Sequence, residues 1–224
     1  MASTAEQPVR IPASRTTLDG ILDVPAHATG MVVFAHGSGS GRLSPRNQYV
    51  AGVLRDAGLG TLLFDLLTPE EENVDATTAH LRFDIRFLAE RLVAGAAWVA
   101  DVPGARGLPV GYFGASTGAA AALIAAAAYP DAVRAVVSRG GRPDLAGPVL
   151  EQVRAPTLLI VGGDDGPVIE MNRRAFDALG TEKNLVVVPG ATHLFEEPGA
   201  LEQVATIAKR WFDEHLTRAA TQAA

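Results

Sequence analysis

Short runs of apolar, mostly β-branched residues recur along the chain and alternate with longer stretches of helical character. Strands are predicted at seven such runs, residues 18–24, 31–35, 61–65, 110–113, 133–138, 157–161 and 185–188. Most of these runs are apolar almost without interruption, which is typical of strands covered on both faces in a parallel sheet. This pattern constrains the fold more than any other feature of the sequence, and it predicts an α/β protein.

The stretches between the strands have helical patterns. Helices are predicted over residues 46–57, 83–101, 117–129, 168–179 and 201–215. Gly58 and Gly180 stand where C-terminal caps are expected, and Pro130 ends the alanine-rich helix. Repeated strand–helix alternation predicts a doubly wound sheet with right-handed crossovers. Because such sheets bind ligands beyond the carboxyl ends of their strands, the functional residues are expected directly after the predicted strands.

Length and composition narrow the function classes. A chain of 224 residues that is 48% hydrophobic predicts a single domain over residues 1–224, with frayed ends at about 1–8 and 217–224. A net charge of −6 disfavours nucleic-acid partners. The first residues do not resemble a signal peptide, and the longest apolar run is too short to cross a bilayer. We therefore expect a cytoplasmic protein with a small-molecule partner and no membrane or nucleic-acid partner; monomer and homodimer both stay open.

The strongest motif follows the predicted strand 110–113. Gly114-Ala115-Ser116-Thr117-Gly118 is a G-x-S-x-G sequence between a strand and a helix, the context of a nucleophile elbow. So tight a turn strains its central residue, and flanking glycines remove the Cβ atoms that would collide. The pattern predicts Ser116 as a nucleophile above a helix N-terminus. The alternative is a Gly/Ser-rich turn without chemistry.

A serine hydroxyl needs a base, and the chain has five histidines. His193 follows the strand 185–188 by a short loop, which favours it as that base. A carboxylate should then fix the imidazole tautomer, and Asp164 and Asp165 both follow the strand 157–161. The resulting chain order, serine then aspartate then histidine, is that of α/β-hydrolases. Since the chain has no cysteine, disulfides, thiolate metal sites and a cysteine nucleophile are excluded.

Four segments carry a family resemblance: FAHGSGSGR, YFGASTG, PTLLIVGGDD and PGATHLFEEPG, in this order along the chain. With them the chain resembles the dienelactone-hydrolase-like small serine hydrolases of the α/β-hydrolase superfamily. The resemblance implies a mostly parallel eight-stranded sheet with helices on both faces and a minimal lid or none. It also implies Asp165 as the acid and the amides of Ser38 and Thr117 as the oxyanion hole. Dienelactone hydrolases proper use a cysteine nucleophile, so Ser116 favours ordinary ester chemistry over lactones.

Four further residues near these strands are candidate substrate-binding groups. His36 and Gly37 belong to the glycine-rich loop after the strand 31–35, although His36 also suits packing beneath that loop. The loop lacks the Lys-Ser/Thr ending of a phosphate-binding P-loop. Arg139 and Arg142 follow the strand 133–138 and suit an acidic acyl group, or else an ion pair with Asp144.

Together these features predict a hydrolase that cleaves carboxylic esters through an acyl-enzyme, with no metal ion and no organic cofactor. Larger relatives insert a helical lid before the strand 157–161, but the connection here, residues 139–156, has room for one small helix. An open site of this kind favours small or compact esters. Two alternatives stay open: an acyltransferase, thioesterase or perhydrolase with the same triad, and a binding module without catalysis.

Overall fold

The computed structural model describes residues 6–221, with side chains up to residue 216. The strands of this part are β1 (Gln7–Ala13), β2 (Thr16–Asp23), β3 (Met31–Ala35), β4 (Gly60–Phe64), β5 (Val110–Ala115), β6 (Ala135–Arg139), β7 (Thr157–Gly162) and β8 (Lys183–Val188). The α-helices are α1 (Pro45–Asp56), α2 (Pro69–Thr78), α3 (Ile85–Ala100), α4 (Thr117–Ala128), α5 (Gly166–Ala178) and α6 (Ala200–Thr221). Two 3₁₀ segments, Leu81–Phe83 and Pro143–Gln152, complete the helical structure.

All eight strands form one sheet in the order β1-β2-β4-β3-β5-β6-β7-β8. The β1–β2 and β2–β4 pairs are antiparallel, and every other pair is parallel. One face is covered by a core that includes residues of α3 and α4, and the other by a core that includes residues of α1 and α6. The predicted α/β-hydrolase fold, a mostly parallel eight-stranded sheet with helices on both faces, is confirmed.

Strand β1 corrects the prediction that residues 1–8 are frayed. Residues 1–5 lie outside the described part, but Gln7 and Pro8 belong to this strand at the sheet edge. Pro8 and Pro12 break the apolar pattern that marks the other strands. They are tolerated here because proline removes a ladder donor that an edge strand does not need on its outer side. At the other end, α6 continues to Thr221, so its backbone is helical where fraying was expected; residues 222–224 lie outside the described part.

Helix α2 was not predicted either. Its first turn carries a reciprocal capping box: the Glu71 amide donates to the Thr68 hydroxyl at 3.2 Å, and the Thr68 amide donates to the Glu71 carboxylate at 2.8 Å. The sequence signal was therefore present as T-x-x-E, with Pro69 at the first helical position. Helix α2 contributes to one side of the cavity beside the elbow.

Between β6 and β7 the chain forms the 3₁₀ segment Pro143–Gln152, which is broken at Gly147, where φ is 55°. A connection this short agrees with the predicted absence of a substantial lid. Among the helices of the described residues, none combines the length and the hydropathy that crossing a bilayer requires.

Candidate active site

Ser116 lies at the tip of the turn from β5 to α4. Its φ of 50° and ψ of −120° are strained for a residue with a side chain. At the two flanking glycines there is no room for a side chain. A Cβ at Gly118 would lie 2.1 Å from the carbonyl oxygen of Ala35, and one at Gly114 would lie 2.4 Å from the Cα of Ala119. The backbone therefore presents the serine side chain at the carboxyl edge of the sheet.

The loops after β7 and β8 are fastened to each other. The Gly163 amide donates to the Val188 carbonyl at 2.8 Å, and the Asp164 amide donates to the Ala191 carbonyl at 2.9 Å. The approach is so close that a Cβ at Gly162 would lie 2.3 Å from the Ala191 oxygen. These contacts hold the aspartates of one loop beside the histidine of the other.

Two successive side-chain contacts connect Asp165 to His193 and His193 to Ser116. His193 Nδ1 is 2.7 Å from Asp165 Oδ2, and His193 Nε2 is 3.4 Å from Ser116 Oγ. Because a carboxylate only accepts, Nδ1 is the donor to Asp165, and in the neutral imidazole the lone pair of Nε2 then faces the serine. The Nε2–Oγ distance is long, as is common before a substrate binds. The neighbouring Asp164 is exposed to solvent, so the structure selects Asp165 from the two candidate carboxylates as the partner of the imidazole.

The glycine-rich loop after β3 packs against the elbow. A Cβ at Gly37 would lie 3.0 Å from the Cβ of Ser116. The Ser38 amide, expected to face an oxyanion, instead donates to the Thr117 hydroxyl at 3.1 Å, and the two hydroxyls are 3.0 Å apart. Thr117 begins α4, so its own amide has no acceptor one turn earlier in the helix. Sequence reasoning placed both amides here but missed the threonine hydroxyl.

His36 joins two loops and is almost fully buried. Its Nδ1 donates to the Gly37 carbonyl at 3.0 Å, and its Nε2 accepts from the Leu66 amide at 2.9 Å. Burial lowers the pKa of this imidazole, which keeps it neutral. Both ring nitrogens are thus used within the protein, as in the packing alternative, and neither is free to contact a substrate.

The two candidate arginines differ in environment. Arg142 forms two hydrogen bonds of 2.8 Å with Asp144, which is the ion pair given as its alternative. The Arg139 side chain is only 7% exposed, and its guanidinium carbon lies 5.9 Å from the centre of the Phe195 ring. Burial lowers the pKa of Arg139 to about 10, so the group stays charged at neutral pH. Neither arginine lines the cavity beside the elbow.

That cavity has a volume of about 640 Å³ and opens beside Ser38 and Thr117. The glycine-rich loop forms one wall, and residues that follow β4 form the other. Two ion pairs lie in these walls, Arg42 with Asp65 and Arg82 with Asp75. Sequence reasoning did not identify these four residues, although Arg42 ends the glycine-rich motif. Across the described residues, no three carboxylate or imidazole groups are placed to hold a metal ion.

The sheet, the strained elbow and the short β6–β7 connection define the fold class, that of the lidless α/β serine hydrolases. No protein-family model matches the chain. A crystal structure of dienelactone hydrolase from Anabaena variabilis is 59% identical, with a TM-score of 0.93, and the match covers 95% of this chain and 98% of that one. The chain belongs to the dienelactone hydrolase family.

Two further comparisons concern the length of a curated relative and the fold of a more distant one. A Mycobacterium tuberculosis (strain H37Rv) protein named "Putative phosphoribosyl transferase" is 59% identical over 211 residues, which are 94% of this chain and 47% of that protein. The chain thus spans about half the length of this curated relative. A lidless serine hydrolase from Xanthomonas campestris is 20% identical with a TM-score of 0.76, over 96% of this chain and 97% of that one, and it shares the fold.

Proposed function

We propose that this protein hydrolyses carboxylic esters of small or compact substrates through an acyl-enzyme. Ser116 is the nucleophile, His193 the general base, and Asp165 the group that orients the base. The observation that carries the proposal is the position of the His193 imidazole, 2.7 Å from the Asp165 carboxylate and 3.4 Å from the Ser116 hydroxyl.

The geometry supports a two-step reaction. Ser116 Oγ attacks the acyl carbon while Nε2 of His193 takes its proton, and Asp165 stabilises the imidazolium that forms. The imidazolium then protonates the leaving alcohol, which departs as the C–O bond breaks and leaves the acyl group on Ser116. A water molecule next attacks the acyl carbon and gives its proton to His193. Protonation of Oγ by His193 releases the acid and restores the serine.

The negative oxygen formed in each step is stabilised by the amides of Ser38 and Thr117. In the resting protein the Thr117 hydroxyl oxygen accepts from the Ser38 amide, at 3.1 Å, where the oxyanion is expected to bind. Productive binding therefore exchanges this internal acceptor for the substrate oxygen.

Two observations support small esters as the substrates. The relative from Anabaena variabilis is named a dienelactone hydrolase, an enzyme of ester-type bonds. That name does not imply lactone specificity for this chain, because dienelactone hydrolases proper use a cysteine nucleophile and the candidate nucleophile here is Ser116. The cavity walls hold ion pairs, which suit compact polar groups better than long alkyl chains. Phosphoribosyl transfer, named for the M. tuberculosis relative, is not proposed because the match covers less than half of that protein.

The test is hydrolysis of p-nitrophenyl acetate combined with labelling by a fluorophosphonate probe. Ser116→Ala is expected to lose labelling and roughly a thousandfold or more in kcat/KM, and His193→Ala to lose a similar factor in kcat/KM. Asp165→Asn tests the group that orients the base. Asp164→Asn is its matched control, and this control variant should retain the parent rate because Asp164 is exposed. Parent-level hydrolysis by Ser116→Ala would defeat the proposal. Product analysis with added alcohol, thiol or peroxide separates hydrolysis from acyl transfer.

A further inference from the structure

One buried arginine of this protein has no counter-charge among the described residues. Only 7% of Arg139 is exposed, and its Nε and Nη1 atoms are buried without a hydrogen-bond partner. No carboxylate of the described part of the chain forms an ion pair with this guanidinium. A buried charge is normally paired, because it has lost the water that would otherwise compensate it. Arg139 therefore points to a counter-ion that comes from outside this part of the chain.

The surroundings of Arg139 add positive charge. Arg139 is the last residue of β6, and its guanidinium lies near Arg46 of α1 and near the Phe195 ring of the loop after β8. Burial, and then the charge of Arg46, lower the pKa of Arg139, so the two guanidinium groups repel each other. The face of the Phe195 ring, 5.9 Å from the guanidinium carbon, offsets only part of the cost of a buried charge.

Arg46 supplies a further unused donor. Its Nη1 donates to the Glu196 carboxylate at 2.8 Å, whereas its Nε is buried without a partner. Arg46 stands in the first turn of α1, which has no acidic residue and whose dipole favours an anion. Arg46 also lines the cavity beside the elbow, and 29% of its side chain is exposed, so a small ion can approach it from solvent.

The donors and the charge of the two arginines define the missing ligand. Together they have three buried nitrogens without a partner and only one paired carboxylate, that of Glu196. Guanidinium groups match the paired oxygens of carboxylates and phosphates. A water molecule would satisfy donors here but would leave the charge of Arg139 uncompensated. A small oxyanion satisfies both.

We propose that Arg139 and Arg46 bind one small oxyanion, a carboxylate or a phosphate, between α1 and the loop after β8. Its oxygens accept from the unpartnered guanidinium nitrogens, and its charge compensates that of Arg139. The proposed hydrolysis uses neither arginine, so the binding does not depend on catalysis. Because the loop after β8 also carries His193, the ion joins this loop to α1 and β6.

The test is a titration of the full chain with sodium phosphate or sodium acetate at pH 7.5, monitored by amide NMR shifts, with the ionic strength held constant by sodium chloride. At least one of the two oxyanions is expected to bind saturably at millimolar concentration, and the tighter one identifies the class of ion. Arg139→Met should weaken that binding at least about tenfold, and Arg46→Gln about three- to tenfold, because each removes charged donors. Arg142→Gln is the matched control and should retain the parent affinity, because Arg142 is already paired with Asp144.

The location of the shifts and the response of the variants decide the outcome. Support requires shifts that centre on residues 45–47 and 139–140, in variants whose circular dichroism shows a folded protein. If Arg139→Met does not fold, Arg46→Gln decides by the same criterion. Shifts that centre on the glycine-rich loop and the start of α4 would place the ion in the Ser116 site and overturn the proposal. The proposal also fails if neither ion binds, if the variants of Arg46 and Arg139 retain the parent affinity, or if Arg142→Gln loses as much as Arg139→Met.

Discussion

Gly118 is a residue at which the elbow tolerates almost no change. The carbonyl oxygens of Ala35 and His36 lie 2.1 Å and 2.5 Å from the point where a Cβ would be placed. Both belong to the backbone, so no side-chain rotation can relieve the overlap. The close approach is also what sets α4, and Ser116 before it, against the end of β3. The same packing thus determines both stability and the position of Ser116.

Gly118→Ala is therefore expected to lower the free energy of unfolding by at least about 3 kcal/mol, beyond ordinary overpacking. Gly52→Ala is the matched control, because Gly52 lies inside α1 and the nearest atom to its added Cβ is Arg55 Nη2 at 3.8 Å. That change should stabilise the protein by about 0.5–1 kcal/mol. Urea unfolding measures both, and equal effects of the two substitutions would contradict the packing argument.

His36 predicts a pH dependence of stability. Burial, the larger effect, lowers the pKa of His36 in the folded protein, while the Gly37 carbonyl and Asp65 partly oppose it. The unfolded chain then takes up a proton near its ordinary pKa of about 6.5 while the folded protein does not. Stability from this residue is complete above that pH and declines as the pH falls below it. Urea unfolding of the parent and of His36→Gln, at pH 7.5 and 5.5, should show a smaller decline in the variant.

At the scale of elements, the sequence predicted best where apolar runs mark buried strands. Strand β3 has the predicted bounds because all five of its residues are buried. Strand β1 was missed because an edge strand needs no such run, and only Ile11 and Ala13 of it are buried. Helix α2 was missed because Asp75 is its only buried residue, so it has no apolar face. Its start depends on local capping instead.

Thr68→Ala should therefore lower the free energy of unfolding by about 1 kcal/mol, the usual value of an N-cap hydroxyl. Thr68→Ser keeps the capping oxygen and should recover most of that loss. Thr77→Ala, at an exposed position of the same helix, should change stability by less than about 0.5 kcal/mol. The expectation fails if Thr68→Ser and Thr68→Ala unfold at the same urea concentration.

At the scale of the whole molecule, parallel strands explain why the site was foreseeable. Ser116 follows β5, Asp165 follows β7 and His193 follows β8, and parallel strands end at one edge of a sheet. The cavity walls were not foreseeable in the same way. Asp75 and Arg82 reach the cavity through the packing of α2 and the turn after it, and no sequence pattern specifies that packing. The hydrogen bond from the Leu66 amide to His36 likewise joins loops that are distant in sequence.

An open cleft with ion-paired walls predicts a preference for short acyl groups. Each methylene gains about 0.8 kcal/mol only where it is buried. In this open cleft, two ion pairs occupy part of the walls that an alkyl chain would need to cover. Across p-nitrophenyl esters from acetate to decanoate, kcat/KM should be highest for two to four carbons and fall at least about tenfold at ten. Ser116→Ala gives the background rate for each ester. A kcat/KM that rises steadily with chain length would show that a long apolar tunnel exists.

The two prolines of β1 have a consequence for self-association. Pro8 and Pro12 are four residues apart in β1, and backbone N–H groups alternate in direction along a strand. Their nitrogens therefore point the same way, and neither nitrogen carries a hydrogen. Arg10 between them is left as the single outward N–H donor of that stretch. A second molecule that approached this border to extend the sheet would meet one backbone donor where a strand without proline would offer three. The border is thus protected against aggregation by strand addition.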